Sequence, residues 1–249
     1  VVALLLGRLG IFASIKNMSF LGDGVAHASL FGIALALFFG WMPTVTALVM
    51  SVVIAIGIYL LERHTRLSAD ASIGIMFTTG VALAIILLYR LPGFQPELMS
   101  YLFGNLLTIK QEDLLITLVI GILISLIMVK YANRFSFTLL DSEGAYLSGL
   151  NPNRYTLALY ILLSLSIVLS IKLVGIILVS AFLITPCAIS QSLAKSYRSY
   201  TNQSMLWAGI IVLTGLFASV AFNLPSGATI IVCGTTMFLV SLGVRKLLR

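Results

Sequence analysis

Charge is scarce in this sequence. Of 249 residues, 15 are Lys or Arg, 8 are Asp or Glu and 2 are His, and charged residues make up 9% of the chain. A soluble domain carries about 25%. So few charges cannot cover a water-exposed surface, which excludes a soluble enzyme and a disordered chain alike. Cysteine is scarce too. Cys187 and Cys233 both lie inside apolar runs, so they read as small packing residues and not as a disulfide framework. The phosphate-cradling pattern GxxxxGK[ST] is absent. If the protein uses ATP, a partner must hold it. Neither histidine sits in an HExxH motif, which argues against an intramembrane metalloenzyme.

Apolar residues fill the space that charge leaves. They make up 60% of the chain, and mean hydropathy is +1.12. A membrane-spanning helix needs about 20 such residues. Apolar segments fall at roughly 1–15, 20–41, 44–61, 71–89, 114–130, 155–174, 175–193, 205–222 and 228–244. The composition predicts an all-α, polytopic membrane protein with eight or nine spanning helices, forming one domain over 1–249. The chain starts at Val1 within an apolar run that contains Arg8, and the first helix is expected to be incomplete at its N-terminus.

Net charge is +7, which in a membrane protein points to cationic cytoplasmic loops and not to nucleic acid. If the segments alternate, Lys16, Arg63, Arg66, Lys130, Arg134, Arg154, Lys195, Arg198, Arg245, Lys246 and Arg249 share one side, eleven of the fifteen basic residues. Only Arg90, Lys110 and Lys172 fall opposite. The C-terminus is therefore expected in the cytoplasm. The outer connection 90–113 contains Pro92 and Pro96 and is expected to hold a short interfacial or re-entrant helix.

Ionisable groups inside a membrane are costly, so each is a functional hypothesis. The sharpest are Asp23 and His27, in LGDGVAHASLFG. Four apart, they share one helix face. Carboxylate with neutral imidazole suits Zn²⁺ or Mn²⁺. Small neighbours such as Gly22, Gly24, Ala26, Ala28 and Ser29 would let other helices enclose the pair. Two bland readings stay open: a buried Asp–His hydrogen bond, or Asp23 as a helix N-cap. Asp70, Glu112 and Asp113 read as first-turn anions, His64 and Glu97 as solvated loop groups, and Lys172 as a snorkelling side chain. Gly175 and Pro186 flank GIILVSAFLITP, where a proline permits a kinked or broken helix lining a pathway. Ser180 adds a polar atom there. Asp141 is placed to cap a short helix that Gly149 ends.

In this order, MSFLGDGVAHASLFGIALA (18–36), ASIGIMFTTGVALAI (71–85), LMSYLFGNLLTIKQEDL (98–114), DSEGAYLSG (141–149), LVGIILVSAFLITPCAIS (173–190) and LPSGATIIV (224–232) carry a resemblance across nearly the whole chain. The sequence resembles the membrane permease subunits of bacterial zinc and manganese ABC importers. The resemblance implies the type II importer architecture of vitamin B12 and metal-chelate permeases, in the bacterial inner membrane. It implies a homodimer with the pathway near its axis, a cytoplasmic ATP-binding subunit and an extracytoplasmic metal-binding protein. Asp23 and His27 match the family's metal-coordinating pair. Asp141, Glu143, Ala145 and Gly149 match its coupling helix, with Ala145 and Gly149 forming a flat face. The transported ion is expected to be zinc, with manganese or iron as alternatives, and no permanently bound cofactor is implied. Two departures stand out: Asn105 replaces an acid, and Cys187 stands beside Pro186. An ion-coupled secondary transporter is the rival reading, with Asp23 and His27 as its coupling groups.

Overall fold

In hydrocarbon each backbone N–H and C=O must find its partner within the protein, so apolar runs of this length resolve into helices. The computed structural model describes residues 2–18, 20–91, 111–194 and 196–247. Among these residues the elements are α1 (Val2–Ile15), α2 (Leu21–Ala28), α3 (Leu30–Phe39), α4 (Pro43–His64), α5 (Ala69–Leu88), α6 (Gln111–Leu140), α7 (Ser142–Leu147), α8 (Pro152–Val174), α9 (Ile176–Leu193), α10 (Tyr197–Phe222) and α11 (Ser226–Leu247). Most of the 90–113 connection lies outside the described residues, and with it Glu97 and Asn105.

Among the described residues, eight helices are long and apolar enough to cross a membrane, with Leu21–Phe39 counted as one. α1, with 14 residues, falls short. Yet it lies deep in the bundle: Leu6, Leu9 and Ile11 are fully buried. Its backbone is held from outside, because Ser204 Oγ donates to the Gly7 carbonyl at 2.6 Å. α1 packs against α9 and α10, so tertiary contact fixes it where length does not.

Polar residues mark the two ends of the bundle. At one end Lys16 pairs with Glu62 at 2.9 Å, and the Tyr160 hydroxyl donates to the same carboxylate. At the other end Lys172 Nζ lies 2.6 Å from Asp113 Oδ2, and Thr44 Oγ1 donates to Asp113 Oδ1 at 2.9 Å. Lys172 therefore does not snorkel freely. It joins the start of α6 to the end of α8, and Asp113 is a buried partner and not a simple first-turn anion. Charges removed from water are tolerated when paired in this way. Lys16, Arg63, Ser142 and Asn153 line one polar cavity of about 280 Å³, so two of the basic residues expected on one side, Lys16 and Arg63, meet at one end.

The turn between α8 and α9 is a single residue. Gly175 has φ +83°, and its N–H bonds to the Ile171 carbonyl at 2.7 Å. A side chain there would clash with the following carbonyl, so only glycine makes this reversal without strain. Of the kinked or broken helix that Pro186 permits, the broken form does not occur: α9 runs from Ile176 to Leu193 with Pro186 inside it.

Candidate functional site

Along α2, Leu21, Gly22, Gly24, Val25, Ala26 and Ala28 are buried. Asp23 and His27 alone are half-buried, and they face a cleft of about 550 Å³. The cleft lies between two matching stripes: Phe20, Asp23, Gly24 and His27 on one side, and Asp70, Ile73, Gly74 and Phe77 on the other. Each stripe follows the i, i+3, i+4, i+7 spacing of one helix face. Gly24 makes the approach possible. A Cβ there would lie 2.2 Å from Ile73 Cγ2, so α2 and α5 could not sit this close with any larger residue.

The histidine is oriented by its own helix. Nδ1 lies 3.0 Å from the Asp23 carbonyl oxygen. A carbonyl can only accept, so Nδ1 carries the proton and Nε2 keeps its lone pair for a ligand. The ring stands edge-on to Phe77, centroids 5.3 Å apart and planes at 90°. Phe77 is the ninth of the 20 residues of α5, which puts the imidazole near the middle of the span.

The carboxylate takes a separate partner. Ser180 Oγ donates to Asp23 Oδ1 at 2.7 Å, from α9. Both bland readings of the pair are thereby corrected. The carboxylate does not bond to the imidazole, and Asp23 is not the cap: Phe20 holds that position, and Asp23 lies in the first turn. One oxygen and one nitrogen remain directed at the cleft. Among the described residues, no group of three or more His, Cys, Asp or Glu side chains stands close enough to hold a metal ion. A closed tetrahedral site needs four ligands, so any such site draws the others from water or a second copy of the chain.

The remaining candidates scatter. Ser180 joins Asp23; Gly175 and Pro186 do not reach the cleft. Pro186 lines a small void with Phe182 and Ile230. Cys187 is buried, with Sγ 2.6 Å from the Tyr200 hydroxyl, and it is not at the cleft. His64 is exposed and bonds to the Leu60 carbonyl. Asp70 lies in the first turn of α5 as expected, behind the Ser68 cap that accepts from the Ala71 N–H. It also lines the cleft. The 70, 73, 74, 77 spacing was available as a signal, but in an apolar helix nothing local says which face meets α2.

The segment 141–149 forms α7. Asp141 Oδ1 accepts from the Gly144 N–H at 2.8 Å. At the other end the Gly149 N–H bonds to the Tyr146 carbonyl and the Leu150 N–H to the Ala145 carbonyl. That is a Schellman closure, with Gly149 at φ +81°. Ala145 is fully buried, so the expected flat Ala145–Gly149 face is turned partly inward. Tyr146 and Leu147 are 71% and 86% exposed instead. Glu143 is exposed in the first turn.

Among the described residues, eight helices long and apolar enough to span a membrane surround a half-buried carboxylate and imidazole, the architecture of a polytopic membrane protein. The chain belongs to the ABC 3 transport family, whose profile matches residues 1–245. It is 30% identical over 247 residues to the high-affinity zinc uptake system membrane protein ZnuB of Haemophilus influenzae, covering 99% of this chain and 94% of that one. It is 34% identical over 242 residues to the manganese import system permease protein ScaB of Streptococcus gordonii, covering 97% and 86%. Among solved structures it is similar to PsaBC from Streptococcus pneumoniae in complex with Fab, with a TM-score of 0.82 and 32% identity over 96% of this chain and 86% of that one. An inward-facing metal-chelate type ABC transporter shares the fold, with a TM-score of 0.72 at 20% identity over 97% of this chain and 84% of that one.

Proposed function

We propose that this protein is the membrane permease subunit of an ATP-driven importer of a divalent metal ion, zinc ahead of manganese and iron. The observation that carries this reading is the orientation of α2: its two half-buried residues are Asp23 and His27, and Nε2 is free to coordinate. Imidazole favours zinc over manganese, which prefers hard oxygen donors. The relatives are named for both metals.

The chain acts as one membrane domain and pairs with a second copy across the α2–α5 cleft. Asp23 and His27 from each copy supply up to four ligands, matching the tetrahedral preference of zinc. An extracytoplasmic metal-binding protein delivers the ion, which exchanges hydration water for these groups. A cytoplasmic ATP-binding subunit engages α7, and its closure shifts access from one side of the pair to the other. Asp141 and Gly149 hold α7 in shape for that contact. Release requires that the bound state be shallow, and one carboxylate and one imidazole per copy keep it so. The protein sits in the bacterial inner membrane with its C-terminus in the cytoplasm.

The test is metal uptake and metal-stimulated ATP hydrolysis by the assembled transporter in vesicles, compared across Zn²⁺, Mn²⁺ and Fe²⁺. Asp23→Ala and His27→Ala should each abolish uptake while the complex still assembles. Normal uptake by both variants refutes the pair. Uptake that follows an ion gradient without ATP favours the secondary-transporter reading.

A further inference from the structure

Away from the cleft, α6, α8 and the α7–α8 connection at Gly149, Leu150 and Asn151 frame an open-sided groove of about 680 Å³. Its upper part is apolar, walled by Ile127, Ile161 and Leu162. Its lower part is aromatic and cationic: Tyr131, Tyr155, Arg134 and Arg154. The two arginines are exposed. Arg134 is already held in place. Its Nη1 donates to the Tyr155 hydroxyl at 3.3 Å, and its guanidinium lies 5.5 Å from the Tyr131 ring centre. Lys130 stands over the same ring at 5.5 Å. The ion pairs among the described residues are Lys16–Glu62 and Lys172–Asp113, so no carboxylate there neutralises Lys130, Arg134 or Arg154. The first turn of α8 contains no acid either.

The level of the groove decides its occupant. α6 has 30 residues, about 45 Å of helix, against about 30 Å of hydrocarbon. Its last turns, which carry Arg134, therefore reach the headgroup layer, while Ile127 stays about 10 Å deeper in the acyl region. We propose that this groove binds an anionic phospholipid, its phosphate on Arg134 and Arg154 and one acyl chain against Ile127, Ile161 and Leu162. Guanidinium forks match a phosphate bidentately, and basic pockets at the headgroup end of spanning helices suit anionic lipids. A soluble anion would use the cations alone and leave the apolar wall empty. A lipid uses both halves.

The protein is extracted in mild detergent and its retained lipids are counted by native mass spectrometry. It is then exchanged into phosphatidylcholine vesicles with and without phosphatidylglycerol. The expected result is retention of phosphatidylglycerol over phosphatidylcholine by roughly 30-fold, two cations at about fivefold each. Arg134→Gln with Arg154→Gln should remove that preference. Ala158→Trp, which fills the groove without changing charge, should also release the lipid. Arg198→Gln, outside the groove, should leave it intact, and an unchanged melting temperature in phosphatidylcholine confirms that each variant is folded. Equal retention of both lipids overturns the proposal, as does equal loss in Arg198→Gln, which would mean a diffuse field. Inorganic phosphate alone displacing the retained phosphatidylglycerol would mean a free-anion site and overturn the proposal. Loss of the ATP-binding subunit with lipid retention unchanged would make the surface a protein contact.

Discussion

A single hydroxyl orients the Asp23 carboxylate. Ser180 reaches Asp23 from α9 at 2.7 Å, and it fixes which oxygen faces the cleft. Partners that orient a ligand commonly contribute 10–100-fold to metal affinity. Ser180→Ala should therefore weaken metal binding about 10-fold while the bundle stays folded, read as a rise in the metal concentration for half-maximal uptake. Ser180→Thr keeps the hydroxyl and should restore much of it. An unchanged half-saturation in Ser180→Ala would mean that the bond has no bearing on the ion. Gly24 acts by its lack of a side chain. Gly24→Val would drive its Cβ into Ile73 and force α2 from α5. Overpacking of this kind costs about 1–3 kcal/mol, and a lowered melting temperature together with lost uptake would report it.

Elements add what residues cannot. α2 is only eight residues long and continues through Ser29 into α3, with the Ser29 hydroxyl bonded back to the Ala26 carbonyl. Its short first stretch presents two polar groups to the cleft, and the apolar α3 completes the span. α7 is shorter still, and both of its ends are capped. Because Ala145 packs inward, the surface offered to a partner is Tyr146 and Leu147. Leu147→Asp should abolish co-purification of the ATP-binding subunit while leaving the melting temperature of the isolated permease unchanged, since a surface change away from packed sites moves stability by less than about 0.5 kcal/mol. Gly149→Trp should do the same with some loss of stability, because φ +81° costs a side-chain-bearing residue about 1–2 kcal/mol. Normal ATPase coupling in both variants would place the contact elsewhere.

At the scale of the molecule, the two polar ends define sidedness. The Lys16–Glu62 pair and the α7 region share one end, and the Lys172–Asp113 pair marks the other. With Cys187 and Cys233 replaced by serine or alanine, single cysteines at 143 and 246 should label from the cytoplasm and resist an impermeant outside reagent. The positive-inside rule is the basis for that assignment. Outside labelling at 143 would invert the protein and exclude α7 as the ATPase contact. The buried α1 adds a second lesson: it is enclosed because α9 and α10 close around it.

Composition by itself determined that this chain is a helical membrane protein with eight or nine spans, because 9% charge leaves no other way to place 60% apolar residues; the structure counts eight long ones among the described residues. It also determined that Asp23 and His27 share a face, since a four-residue spacing is local geometry. The cap at Asp141 and the reversal at Gly175 were likewise local, and both were readable. What faces that pair was not local. Ser180 lies 157 positions from Asp23, and Asp70 and Phe77 come from another helix. In uniformly apolar helices the hydrophobic pattern does not say which side meets a neighbour. The same uniformity hid the pairing of Lys172 with Asp113, while Cys187 is buried as expected of a packing residue in an apolar run. Packing chose those faces through the few places where small residues let two backbones touch, and only the tertiary structure shows where they are.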